Sequence, residues 1–342
     1  MNSFEAKYWK IFGEGKIQCE LCPRECILSE DQHGFCYSRE VKSGKMFLTS
    51  YGRTSGFAID PIEKKPLYHF LPGSEILSFG TIGCNLACSF CQNWEISHVT
   101  GRERLLENTS PAKIAELAKG RRISSVAFTY NEPVIFHEFA VDTALECRKR
   151  GIHTVAVTAG YMNEKPRIEF YNVIDAANVD LKSFSNEFYK KYCGATLQPV
   201  LDTLIYIKKR TKVWLEITNL LIPGLNDSDK ELDAMTSWIA EELDCNVPLH
   251  FTAFHPAGNM HDRERTPIET LIRARDIGMK NGLRYVYTGN VHGSKGSSTI
   301  CHKCGKELIV RDGFNIIKNS LNEDGACSVC GTLCAGFFAA KK

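Results

Sequence analysis

No stretch of this sequence stays apolar for the length a bilayer crossing needs, and the opening residues "MNSFEAKYWKIFGEGK" hold no apolar core like that of a secretory leader. The expectation is a cytoplasmic protein with no membrane contact. Charge excess is missing as well. Lys and Arg number 42 against 40 Asp and Glu, a net +2, and no basic stripe interleaved with aromatics runs along the chain. That argues against a nucleic-acid binder. A dinucleotide-binding fold is also unsupported, because no GxGxxG spacing follows the first strand-like run.

What the chain has in excess is cysteine, 15 in 342 residues. In a reducing compartment, clustered cysteines bind metal or do chemistry more often than they form disulfides. Cys19, Cys22, Cys26 and Cys36 form one set, Cys84, Cys88 and Cys91 a second, and Cys301, Cys304, Cys327 and Cys330 a third. Cys147, Cys193, Cys245 and Cys334 stand alone and read as small buried hydrophobes.

Between the outer sets, short apolar runs alternate with amphipathic stretches. The strand-like runs are 75–83, 125–130, 153–160, 176–182, 213–224, 248–255 and 284–290. Helical periodicity fills the gaps, as in "SPAKIAELAKG", with Ser110 as N-cap and Pro111 at the first helical position. Ser228 and Glu231 resemble a capping box. Such alternation predicts an α/β fold with a parallel sheet, and six or seven units suit a full or partial β/α barrel. In such folds reactive groups collect at the carboxyl ends of strands.

The first strand runs straight into "CNLACSFC", three thiols within eight residues and no fourth nearby. A structural zinc site wants four protein ligands, whereas a four-iron cubane on three thiolates keeps one iron open. Zinc completed by His98, or three unrelated core thiols, are the alternatives. The second strand ends in "TYNEPV", with Asn131 and Glu132 at its tip; a plain helix start at Pro133 explains the same letters. Asp180 and Lys182, two apart in "VDLKS", share a strand face, as a simple internal ion pair also would. The fifth run ends in "LLIPGLNDS" and the sixth in "FHPAGNM", with His255.

Together these motifs resemble the radical S-adenosylmethionine superfamily. "CNLACSFC", with Phe90 before its last cysteine, is similar to the cluster loop of that superfamily, and "YNEP" to its amino-group motif. "DLK" and "IPGLND" resemble the later elements of enzymes related to the pyruvate formate-lyase activase. "CELCPREC…GFC", "DPIEKKPLYHFLPGS", "CQNWEIS", "GLRYVYTGNVHG" and the closing "CxxCG…CxxCG" resemble the AmmeMemoRadiSam system branch. The fold this implies is a partial (β/α)6 TIM-like barrel with small cysteine-rich modules at both ends.

The resemblance further implies that Cys84, Cys88 and Cys91 bind a four-iron four-sulfur (4Fe–4S) cluster, its open iron chelated by S-adenosylmethionine. Reductive cleavage then gives a 5′-deoxyadenosyl radical that abstracts hydrogen from an unidentified substrate. Glu132, with Asn131 beside it, would take the methionine amino group. Asp180 and Lys182 would lie near the carboxylate and ribose, the Asp also helping to hold a monovalent cation. Phe90, His255 and the Leu221–Ile222 edge could line the cofactor pocket. Ala159 stands where the pattern has an Asn.

The two C-terminal CxxC pairs read as a closed four-thiolate site of zinc-ribbon or rubredoxin type, with zinc favoured over a single iron. For the N-terminal four, zinc and an auxiliary cluster are both compatible. The expected organisation is a cysteine-rich segment at 1–45, a linking arm at 46–75, the barrel at 76–295 and the C-terminal module at 296–342. The arm carries Lys64, Lys65 and His69, and reads either as a solvated hairpin or as a cover over the open rim. Expected partners are a reductant protein (flavodoxin or ferredoxin) and a possible protein substrate. The competing functions are a glycyl-radical-enzyme activase and a non-catalytic zinc-binding adaptor.

Overall fold

The computed structural model describes residues 4–98, 107–291 and 296–338. His292 and Gly293 of "YTGNVHG", and the barrel boundary at 295, lie outside the described residues. Every strand-like run forms a strand. The central sheet takes its strands in chain order: β1 (Phe57–Pro61), β2 (Glu75–Phe79), β3 (Ser125–Phe128), β4 (His153–Thr158), β5 (Ala176–Asp180), β6 (Trp214–Leu221), β7 (Leu249–Ala253) and β8 (Val286–Gly289). β1 runs antiparallel to β2, and every later neighbour is parallel. Helices α1 (Pro111–Gly120), α2 (His137–Lys149), α3 (Glu164–Tyr171), α4 (Gln198–Arg210), α5 (Asp229–Trp238) and α6 (Ile268–Lys280) fill the crossovers. This makes six strand–helix units followed by one more parallel strand. Among the described residues β1 and β8 do not pair, so the barrel stays partial.

The strands read as apolar runs because helices cover one face and the barrel interior the other. All four residues of β3 and all five of β7 are buried. Local signals work as the sequence suggests. Ser110 Oγ accepts from Lys113 N at α1, and Ser228 Oγ from Glu231 N at α5. The capping box is only half made, because the Glu231 carboxylate accepts from Ser183 Oγ and Phe184 N instead.

The arm neither floats in solvent nor covers the rim. After β1 it crosses the opposite, N-terminal mouth of the barrel, where Lys65 is 3% exposed and His69 not at all. Lys65 Nζ lies 2.5 Å from Asp60 Oδ2, and Asn178 Nδ2 donates to the Pro66 carbonyl at 2.7 Å. The backbone N–H groups of Tyr68 and His69 donate to the Glu216 carboxylate, which His250 Nε2 also meets at 2.6 Å. Burial pushes Glu216 up, but these contacts outweigh it and hold the carboxyl below its usual range. The C-terminal module packs outside the arm. Arg311 Nη2 donates to the Tyr68 carbonyl (2.7 Å) and Phe337 N to the His69 carbonyl (2.7 Å).

Candidate active site and metal centres

The chain leaves β2 and turns at once into the triplet loop, on the rim where β3 to β7 end. Neighbouring segments clamp this loop. Thr81 N donates to Asn131 Oδ1 (3.0 Å), and Asn85 Nδ2 to the Tyr161 carbonyl (2.8 Å). Ala87 N and Ser89 N donate to the carbonyls of Cys193 and Tyr192, both at 2.8 Å, and Asn259 N to the Ser89 carbonyl at 2.7 Å. Two glycines permit the fit. A Cβ on Gly83 would lie 2.0 Å from the Cys36 carbonyl oxygen, and one on Gly258 would lie 2.6 Å from that of Ser89. Both residues have positive φ.

Among the described residues, only Cys301, Cys304, Cys327 and Cys330 form a group of three or more potential ligands whose atoms all lie within 4.8 Å of one another. Neither the triplet alone nor the triplet with His98 forms such a group, so it does not have the geometry of a single-ion site. Its thiols still act on one another. Burial pushes Cys84 well up, helped by the Glu132 carboxylate and by Cys88. Cys88 is pulled down, first by a hydrogen bond with the Cys193 thiol and then, against burial, by the Lys182 ammonium. Cys193, which the sequence presents as an isolated core thiol, is thus a direct neighbour of the triplet.

Glu132 is 3% exposed at the end of β3. Its Oε1 accepts from Thr158 Oγ1 (2.5 Å) and Val134 N (3.1 Å), and its Oε2 from Ala159 N (2.7 Å). It therefore caps the turn beginning at Pro133 and faces the triplet as well. Burial raises its pKa to about 7, against the lowering effect of these donors. Ala159 contributes through its backbone, a role no side-chain pattern displays. Lys182 Nζ sits 2.7 Å from Asp180 Oδ2. Burial opposes its charge, but Asp180 and Cys88 hold the ammonium protonated.

The other expected cofactor residues make contacts of their own. Asn131 spends its side chain on the loop: Oδ1 on Thr81 N, and Nδ2 on Thr81 Oγ1 and the Gly83 carbonyl, both at 3.0 Å. Phe90 is 3% exposed and packs against Phe188, and Leu221 has no exposed surface. The inward positions of β6 are Glu216, Thr218 and Leu220, one residue out of phase with Leu221. His255 Nε2 meets the Asn290 carbonyl at 3.2 Å.

The C-terminal thiols stand as a tetrahedral single-ion site demands. Cys301 and Cys330 are 3.6 Å apart, and Cys304 and Cys327 are 3.7 Å apart. Metal–sulfur bonds of about 2.3 Å place tetrahedral sulfurs about 3.8 Å apart.

Comparison with known proteins agrees with this geometry. The family model for the Radical SAM superfamily matches residues 79–235. Over 328 residues the chain is 40% identical to the uncharacterized protein MJ0808 of Methanocaldococcus jannaschii, covering 96% of this chain and 97% of that one. It is 28% identical over 160 residues to the pyruvate formate-lyase-activating enzyme of Clostridium pasteurianum, covering 46% of this chain and 66% of that enzyme. Among solved structures, Streptococcus suis SuiB bound to precursor peptide SuiA superposes with a TM-score of 0.50 at 15% identity, over 68% of this chain and 52% of that one, a likeness of fold. The chain shares one family with MJ0808 over nearly its whole length, and its residues 79–235 match the model of the Radical SAM superfamily.

Proposed function

We propose that this protein is a radical S-adenosylmethionine enzyme with a 4Fe–4S cluster on Cys84, Cys88 and Cys91, and that it abstracts hydrogen from a substrate presented at the barrel rim. One observation carries the reading. Three thiols of a clamped loop, spread wider than a single-ion site, face a buried carboxylate and an Asp–Lys pair at the carboxyl ends of parallel strands. The donor set fits a cubane with one open corner. When bound, a reduced cluster and S-adenosylmethionine supply one electron and a carbon radical able to take a hydrogen atom.

The protein's part is binding and orientation. Glu132, once ionised, accepts the amino group of the cofactor, with Thr158 and the Ala159 amide fixing its carboxylate. Lys182 faces the cofactor carboxylate, with Asp180 holding the ammonium in place. Asn131 positions the loop instead of touching the ligand. The motif set resembles that of the AmmeMemoRadiSam branch, which supports assignment to it, and a flavodoxin or ferredoxin is the matching reductant.

Anaerobically reconstituted protein, reduced with dithionite in the presence of S-adenosylmethionine, should be brown and release 5′-deoxyadenosine. A colourless protein that binds only zinc and releases none would restore the adaptor reading. The match to activating enzymes favours one second reading, activation of a glycyl-radical enzyme. A glycine radical detected by electron paramagnetic resonance on an added partner protein would establish it.

A further inference from the structure

Cys19, at the end of a short strand, comes together with Cys22, Cys26 and Cys36 of the loops that follow it. They line one small apolar cavity, whose wall also includes Arg39 and Asn85. The sulfurs are too far apart for one ion: they do not meet within the 4.8 Å that the C-terminal four satisfy. From this enclosed space and these spread thiols we infer that the N-terminal set holds a second four-iron cluster, each cysteine bound to a different iron, and not zinc. A cubane separates its cysteine sulfurs more widely than a single tetrahedral ion does, because no two of them share a metal.

A second feature also points to an anionic occupant. Arg39 is 1% exposed; its Nη2 pairs with the Glu138 carboxylate (2.7 and 2.8 Å) and its Nη1 donates to the Lys7 carbonyl (2.8 Å). Its Nε–H is buried without a partner. An unpaired buried donor is costly, and a sulfur-rich anion in the adjoining cavity would satisfy it.

All four positions are filled by protein, so this cluster has no open iron and belongs to a different class from the rim cluster. It is nevertheless close by. The Cys36 carbonyl abuts Gly83, Asn85 lines the cavity, and Arg24 Nε donates to the Asn85 carbonyl at 2.5 Å. The backbone of the one set thus touches the loop that carries the other.

The test is metal analysis of a Cys84→Ala/Cys88→Ala/Cys91→Ala variant, reconstituted anaerobically with iron and sulfide. The inference expects about four irons and four sulfides per chain, and a paramagnetic signal on reduction that S-adenosylmethionine leaves unchanged. Iron-free protein carrying about two zinc ions would overturn it. Should that variant fail to fold, Cys22→Ser in the otherwise intact chain gives the same decision. A fall from about eight irons to about four, with the signal that responds to S-adenosylmethionine retained, supports the inference; unchanged iron overturns it. If the intact chain holds only about four irons and the triple variant keeps them all, the second cluster stands and the rim reading falls.

Discussion

At the C-terminal module paired thiols stand 3.6 and 3.7 Å apart, whereas the N-terminal thiols ring a small cavity and do not gather within 4.8 Å of one another. Each module contributes four cysteines, and each sets a buried arginine against a buried glutamate. Arg39 and Glu138 meet at 2.7 Å, Arg311 and Glu63 at 3.7 Å. The modules differ in place. The N-terminal one leans on the triplet loop at the rim, and the C-terminal one covers the arm at the far mouth. Ligand count alone therefore does not define a metal site. Separation in space selects between ion and cluster, and position in the barrel selects between a neighbour of the chemistry and a support for the fold.

The largest expected effect falls on the rim itself. Cys88→Ala should abolish 5′-deoxyadenosine formation and remove about four irons per chain, while metal at the C-terminal four stays. Retained cleavage would break the division of roles. Next comes Glu138→Gln, which leaves the Arg39 charge buried without its partner. It should cost about 3–5 kcal/mol in urea unfolding, starting at the N-terminal module. A loss below about 1 kcal/mol would mean the pair contributes little there.

A smaller effect follows from Glu132. With its pKa near 7, the carboxylate is mostly protonated at pH 6 and mostly ionised at pH 8. Only the ionised form accepts an ammonium group, so S-adenosylmethionine binding should tighten as pH rises, by roughly tenfold at most. Equilibrium dialysis of cluster-loaded protein checks this, and Glu132→Gln should flatten the profile. Removing the Cys193 thiol from beside Cys88 should lower the reduction potential of the rim cluster, since hydrogen bonds to ligand sulfurs raise it. Potentiometric titration of Cys193→Ala gives the sign. The least effect on the rim is expected from Cys304→Ala. It should release the C-terminal metal and lower the melting temperature, yet leave cleavage per rim cluster within about twofold. A larger loss would tie the two ends of the barrel together.

Much of this was legible in the chain because strand ends carry the chemistry and alternation of strand and helix is local. The seven apolar runs became the seven parallel strands, and the triplet stood out by density alone. What remained hidden depends on partners distant in sequence. Lys65 and His69 look like surface residues until Asp60, Glu216 and the 335–337 backbone are placed around them. Cys193 looks solitary until the turn after β5 folds back on the triplet loop. Phe90 packs against Phe188 and Leu221 is fully buried, contacts that their motifs do not display. Ala159 acts through an amide that every residue except proline possesses.

The arm across the N-terminal mouth makes the barrel a dead end. Whatever settles deepest must then arrive first and depart last through the one remaining opening. Steady-state kinetics should accordingly show ordered addition, with the sulfonium compound ahead of any bulky second reactant.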